Sequence, residues 1–106
     1  MSTQLKKGVL ELCVLNILER QDSYGYDIYQ EINSNMFISE STIYPILRKL
    51  VKEGLCTTYL KESTEGPPRK YFKTTELGDT KLKSLKDNWL SFYKTVNSMI
   101  GVTNNG

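Results

Sequence analysis

The chain has 106 residues, of which 39% are hydrophobic and 25% are charged, and its formal net charge is +2. This length suits one compact domain, and these proportions are ordinary for a folded globular protein. The sequence contains no histidine, which is the commonest general base and metal ligand in proteins. We therefore expect neither an enzyme nor a bound metal or cofactor.

Two cysteines, Cys13 and Cys56, stand in separate apolar stretches and outside the spacing of a metal-binding pair. We expect both to be free core thiols in a reducing compartment. Glu11 and Asn16 interrupt the apolar stretch 9–18, which therefore fits neither a signal peptide nor a membrane-spanning helix. The sequence thus predicts a cytoplasmic protein that does not bind a membrane.

The first predicted helix covers residues 5–20 and is apolar on nearly its whole circumference. A helix of this kind in a small domain must be covered on several sides. One domain core covers one side, and a second subunit is the expected source of the rest.

Two shorter helices follow. Ser23 is a plausible N-cap for a helix over 24–33, where Gly25 in the first turn suggests a close contact with another helix. Ser39 or Ser41 caps a third helix that runs to about residue 53, and Gly54 is a natural residue to end it. The predicted buried stripe of the third helix consists of Ile43, Ile46, Leu47 and Leu50.

A hairpin and a long helix complete the chain. Residues 55–61 and 69–74 read as strands around a polar turn at 62–68, and Thr75 caps a helix that reaches about Ile100. The order predicts a mainly α fold with a small β-hairpin (α+β), namely a winged helix-turn-helix with extra helices at both ends. We divide it into a DNA-binding part over 5–75 and a dimerisation helix over 76–100, which together form one structural unit.

Charge is concentrated in the middle of the chain, where residues 41–73 hold seven basic and three acidic side chains. In a helix-turn-helix the second helix of the motif enters the major groove, while basic residues of a wing contact the DNA backbone. Here that helix carries hydroxyl and basic side chains, and the hairpin carries Lys61, Arg69 and Lys70. Exposed basic residues are also common on surfaces that bind nothing, and charge alone does not indicate a partner. It is the agreement of helix, wing and charge that favours DNA binding.

Four stretches resemble the PadR family of transcriptional regulators: KGVLEL at 7–12, YGYDI at 24–28, STIYPILRKLVKEGL at 41–55 and GPPRKYFKTTELG at 66–78. The resemblance covers about residues 5–100, and the single last helix is similar to the small-PadR subgroup. It implies a homodimeric repressor that binds an operator of two-fold symmetry and responds to a small, flat, hydrophobic compound. It also implies DNA contacts for Tyr44, Pro45, Arg69 and Lys70. The complete set of candidate DNA-binding residues is Lys6, Lys7, Tyr26, Ser41, Thr42, Tyr44, Pro45, Arg48, Lys49, Lys61, Arg69 and Lys70.

Apolar residues recur along the last helix at alternating spacings of three and four, which is the pattern of a helix that pairs with a second helix. A chain this small has little else to cover such a stripe, so we expect a homodimer. The predicted dimer-interface residues are Val9, Leu82, Leu85, Trp89, Phe92, Val96 and Met99.

Trp89 is bulky for a tight two-helix contact, and two facing indoles would leave a slot between aromatic faces. Some multidrug-sensing PadR proteins have a tryptophan eleven residues after the glycine of a Thr-Glu-x-Gly turn, a spacing that Trp89 shares with Gly78. The resemblance thus implies a site for a planar aromatic effector, and the alternative is that Trp89 is simply part of the dimer core. The candidate effector-binding residues are Leu5, Gly8, Leu12, Leu85, Trp89 and Tyr93.

The sequence leaves two functions open. The first is a ligand-responsive DNA-binding repressor, and the second is a dimeric winged-helix scaffold that binds another protein without specific DNA binding. The exposed face of the third helix discriminates between them, because its hydroxyl and basic side chains suit phosphate, whereas a protein-docking face would expose more apolar area.

Overall fold

A computed structural model describes the backbone of residues 3–102 and the side chains from Gly8 onward. Within this range the fold has four helices and one three-stranded antiparallel sheet, which confirms the predicted α+β winged-helix class. The elements in chain order are α1 (Thr3–Arg20), β1 (Ser23–Tyr24), α2 (Gly25–Asn33), α3 (Glu40–Lys52), β2 (Cys56–Ser63), β3 (Gly66–Thr74) and α4 (Glu76–Ile100).

The prediction that Ser23 caps α2 is wrong, because Ser23 lies in β1 and pairs with Phe72 of β3. Its buried hydroxyl donates to the carbonyl oxygen of Gln21 at 3.1 Å rather than to the helix. The helix starts at Gly25, with Tyr24 in extended conformation before it. β3 would otherwise present an unpaired edge, and pairing with Ser23 and Tyr24 satisfies part of that edge.

The hairpin is longer than the sequence predicts, and only Thr64 and Glu65 separate its strands. The predicted turn therefore contributes Pro67 and Pro68 to β3. These prolines are tolerated because β1 leaves its edge of β3 free at residues 67–68, and because the pairing with β2 is irregular opposite them, between Lys61 and Ser63. We call this hairpin, β2 with β3, the wing.

The core lies where α1, α2 and α3 meet the sheet and the start of α4. The predicted stripe of α3 is buried throughout. α1 was predicted to be apolar on nearly its whole circumference, and it contributes buried side chains along most of its described length. The buried residues of α1 are Leu10, Val14, Leu15, Ile17 and Leu18.

Leu82 does not belong to the exposed stripe of α4, contrary to the predicted dimer interface. It is 1% exposed and packs in the core of its own chain, where a second chain cannot reach it. The reason lies at the start of α4, where Thr75 caps the helix and Gly78 packs against the backbone of Leu55. This close contact holds the first turns of α4 on the domain.

Cys56 is buried and Cys13 is half-buried, and both are free thiols. Burial raises the pKa of the Cys56 thiol to about 11 and raises that of Cys13 as well. Both thiols therefore stay protonated near neutral pH, which suits a packing role. As for membranes, none of the helices described here has the length and apolar character needed to span a bilayer.

Candidate nucleic-acid interface

A cleft of about 390 Å³ separates α3 from the wing, and we call it the α3–wing cleft. Arg48 reaches it from α3 and Lys70 from β3. Tyr24, Tyr26 and Tyr44 also line the cleft, and of these Tyr26 is exposed. The structure thus brings four of the predicted DNA-binding residues, Tyr26, Tyr44, Arg48 and Lys70, to one place.

The pleat of β3 explains why Lys70 faces α3. Side chains two residues apart on a strand point to the same face, and Phe72 is buried in the core on the side of α3. The Lys70 ammonium lies 5.8 Å from the centroid of the Phe72 ring. Lys70 is therefore held above α3, the recognition helix that is expected to enter the major groove, rather than on the outer side of the sheet.

Gly25 confirms the expected close contact at the start of α2. A Cβ atom at this position would lie 3.3 Å from Cε1 of Tyr44 and 3.4 Å from Cε1 of Phe72. Glycine therefore lets α2 approach α3 and β3 closely enough for their side chains to share one cleft.

The two cations of the α3–wing cleft, Arg48 and Lys70, form no ion pair with a carboxylate of the described residues. Among the described residues the ion pairs join Arg20 to Glu31, Lys49 to Glu11 and Lys86 to Glu19, and none includes Arg48 or Lys70. Burial, followed by the nearby Glu40 carboxylate, raises the pKa of Tyr44. The Tyr44 phenol is therefore protonated at neutral pH and can donate to a phosphate oxygen beside the two cations.

The opposite side of α3 has a different character. Lys49 is exposed there, but its ammonium donates to the carboxylate of Glu11 at 2.6 Å, which balances its charge. A cleft of about 520 Å³ on this side is lined by Ser41, Thr42 and Pro45 among others. This side therefore offers hydroxyl groups and a largely neutralised lysine.

Ser39, one of the two predicted N-caps of α3, occupies the N-cap position, but its hydroxyl forms no capping hydrogen bond to the helix backbone. Instead it lies 2.8 Å from Oγ of Ser41 and 3.1 Å from Oγ1 of Thr42. The first turn of α3 thus carries three neighbouring hydroxyls at the end of the helix that is expected to meet base edges.

The outer face of the sheet carries Lys61 and Arg69, the other two predicted DNA-binding cations of the wing. Lys61 pairs with Arg69 and Tyr59 with Tyr71 in the register of β2 and β3, so these four side chains share the face opposite Lys70. Tyr59 and Tyr71 are not among the site residues predicted from the sequence. The sequence pattern that points to them is the alternation of an aromatic and a basic residue in each strand. This pattern can be interpreted only when the register shows which residues lie side by side.

The predicted dimer-interface residues other than Leu82 lie at least partly at the surface. Trp89 is 40% exposed, Phe92 57% and Met99 80%, while Val9, Leu85 and Val96 are half-buried. They belong to α4 except for Val9, which lies on α1.

A small cleft of about 200 Å³ lies between α1 and α4. Four of the six predicted effector-binding residues line it, namely Gly8, Leu12, Leu85 and Trp89. Tyr93 does not line it, although its ring centroid is 6.1 Å from that of Trp89. The side chains of Leu5, Lys6 and Lys7 lie outside the described residues.

Three helices followed by an antiparallel wing define a winged helix-turn-helix protein, in which the cleft cations of α3 and β3 form no ion pair with a described residue. The sequence profile of the transcriptional regulator PadR-like family matches residues 14–84. The chain therefore belongs to the PadR family of transcriptional regulators, as the sequence motifs indicated.

Solved structures and a sequence relative agree with this assignment. The chain is similar to a PadR-like transcriptional regulator from Bacillus cereus, with 39% identity, a TM-score of 0.82 and coverage of 92% of this chain and 96% of the other. A PadR-like transcription factor from Bacteroides fragilis is 37% identical with a TM-score of 0.76, and the match covers 91% and 94% of the two chains. An uncharacterized protein of Lysinibacillus sphaericus is 33% identical over 87 residues, which are 78% of this chain and 80% of the relative.

The family decides between the classes of function that the sequence left open. It consists of transcriptional regulators, which bind DNA and are not enzymes. A DNA-binding regulator is therefore favoured over a scaffold that binds only protein.

Proposed function

We propose that the protein is a homodimeric repressor that binds a DNA operator of two-fold symmetry through α3 and the wing of each protomer. The observation that carries this proposal is the α3–wing cleft, where Arg48 and Lys70 converge without a carboxylate partner in the described part of the chain. Two such cations beside the protonated Tyr44 phenol suit a phosphate of the DNA backbone.

Within this proposal the hydroxyl and the basic side chains have separate tasks. The hydroxyls of Ser41 and Thr42 stand on the first turn of α3, where base edges of the major groove are read. Arg48 and Lys70 hold the backbone phosphate between helix and wing. Lys61 and Arg69 extend the contact along the wing.

Dimerisation through α4 is supported by its exposed apolar side chains. Beyond Leu85 most side chains of this helix are exposed, including the large apolar groups of Trp89, Phe92 and Met99. A contiguous apolar surface on a protein of this size favours contact with a second copy. The pairing of two α4 helices would place two recognition helices on one side of the dimer.

We further propose that a planar aromatic compound binds beside Trp89 and releases the repressor from DNA. The cleft between α1 and α4 supports this, because Gly8, Leu12 and Leu85 leave room beside the indole. A Cβ atom at Gly8 would meet nothing within 4 Å, so this part of the slot is open. A compound wedged between paired helices would change the separation of the two recognition helices and weaken operator binding.

The test is to sequence the DNA that the purified protein recovers from fragmented genomic DNA of its source. We expect an inverted repeat whose half-sites are about one helical turn apart, ~34–36 Å. The control is the double variant Arg48→Ala/Lys70→Ala, which should recover little DNA. A site without two-fold symmetry, or equal recovery by the variant, would contradict the proposal.

A further inference from the structure

Three tyrosines form a row across the outer face of the sheet, one from each strand. The ring centroid of Tyr71 on the central strand lies 5.7 Å from that of Tyr59 on β2 and 6.2 Å from that of Tyr24 on β1. The Tyr59 and Tyr71 rings are nearly parallel, with an interplanar angle of 21°. We call Tyr24, Tyr59 and Tyr71 the tyrosine row.

Two cations of the outer wing face, Lys61 and Arg69, lie over rings of this row. The Lys61 ammonium is 5.1 Å from the centroid of Tyr71, and the Arg69 guanidinium carbon is 5.0 Å from the centroid of Tyr24. Both distances fall within the range of cation–π attraction. The rings therefore hold two long side chains that would otherwise move freely.

The row is tied to the body of the domain by one hydrogen bond. The Tyr59 hydroxyl donates to Oδ2 of Asp22 at 2.7 Å, and this bond raises the pKa of the Tyr59 phenol. Asp22 directly precedes β1, which pairs with β3, so the bond connects β2 to the opposite edge of the sheet.

A ring holds a cation in a way that an ion pair does not. The carboxylate of Glu11 fixes Lys49 but also cancels its charge. The rings of Tyr71 and Tyr24 fix Lys61 and Arg69 while leaving each with its full positive charge, available to an incoming phosphate. Neither cation belongs to an ion pair with another described residue.

We infer that Tyr71 is a positioning residue, which preorganises Lys61 for contact with the DNA backbone, and that Tyr24 does the same for Arg69. The inference rests on the proposed function, because it assumes that the wing contacts DNA. Each ring lowers the entropy that its cation loses on binding, and contributes without touching DNA itself.

The experiment measures the affinity of the full-length protein for a labelled mixed-sequence duplex of about 30 base pairs, roughly three helical turns, at several salt concentrations. Tyr71→Leu removes the ring beneath Lys61, and Tyr71→Phe keeps it. We expect Tyr71→Leu to weaken binding about two- to fivefold with an unchanged salt slope, because the charge remains but is no longer held. Tyr71→Phe should bind like the wild type.

Lys61→Ala supplies the second arm and separates positioning from mere stability. It should make the salt slope shallower by about one unit per bound protomer, because a phosphate contact is lost. In the Lys61→Ala background, Tyr71→Leu should then have no further effect on affinity. Thermal unfolding by circular dichroism verifies that every variant is folded at the temperature of the binding assay.

The outcomes are distinguishable. Unchanged affinity and slope in Lys61→Ala would overturn the DNA contact that the proposed function assigns to Lys61, and the positioning role with it. A normal loss in Lys61→Ala with wild-type binding by Tyr71→Leu would overturn the positioning role alone. An equal loss from Tyr71→Leu in both backgrounds would also overturn it, since the ring would then act independently of Lys61.

Discussion

Replacing Gly78 with alanine tests how α4 is attached to the winged domain. A Cβ atom here would lie 2.2 Å from the carbonyl oxygen of Leu55 and 2.5 Å from Oγ1 of Thr74. An unstrained contact needs about 3.5 Å, so the backbone of Leu55 must move by roughly 1 Å. The same carbonyl accepts a hydrogen bond from the Thr75 amide at 3.1 Å, which this movement would weaken.

The expected magnitude follows from three opposing contributions. Overpacking costs about 1–3 kcal/mol, and loss of the hydrogen bond costs about 1 kcal/mol. Alanine stabilises a helix interior by about 1 kcal/mol relative to glycine, but Gly78 lies in the first turn, where this gain is smaller. We expect a net loss of about 1.5–3.5 kcal/mol in the free energy of unfolding, which lowers Tm by about 6–20 °C in a domain of this size.

The assay is thermal unfolding followed by circular dichroism at one fixed protein concentration. Ser84→Ala is the matched control, because Ser84 is exposed on the same helix and the change also raises helix propensity. It should move Tm by no more than about 2–3 °C. A Tm for Gly78→Ala equal to or above that of Ser84→Ala would refute the tight packing of α4 on Leu55.

Three further predictions concern α4 and the thiols. Ending the chain after Asp87 keeps Leu82 in the core but removes most of the exposed stripe, so light scattering should give a folded monomer; a dimer would show that α4 is not the interface. Planar aromatic dyes should bind beside Trp89, the single tryptophan, and quench its fluorescence. The Trp89→Ala variant should lose dye binding but remain a dimer. No quenching, together with a Trp89→Ala variant that dissociates, would favour a purely structural Trp89. At neutral pH a thiol reagent should label Cys13 slowly and Cys56 only after unfolding. The labelling rates should rise with pH, because only the thiolate reacts. Rapid labelling of both cysteines in the native protein would contradict their burial.

The sequence predicted those elements of the fold in which apolar residues recur at a regular spacing. The three- and four-residue spacing on α3 marked Ile43 and Leu47 as buried, and the structure places both in the core. β1 was missed because a two-residue strand has no period, and it forms only where β3 offers an unpaired edge to Ser23.

The candidate site was predictable in composition but not in arrangement. The sequence pointed to Arg48 and Lys70, but only the register of the wing shows that Lys70 faces α3 while Arg69 faces the other way. The spacing of apolar residues on α4 likewise could not distinguish cover by the same chain from cover by a second chain. This is why Leu82 was assigned to the interface although it lies in the core of its own protomer.

The central claim is that Arg48 and Lys70 jointly contact DNA, and the salt dependence of binding tests it most directly. Compared with the wild type, Arg48→Ala/Lys70→Ala should weaken binding and make the slope of log K against log salt shallower by about one unit per bound protomer, because the two side chains share one phosphate. The control, Lys83→Ala/Lys94→Ala, removes the same charge from exposed positions of α4 outside the cleft and should leave the slope nearly unchanged. Equal slopes in the two double variants would contradict the claim, because net charge alone would then explain the binding.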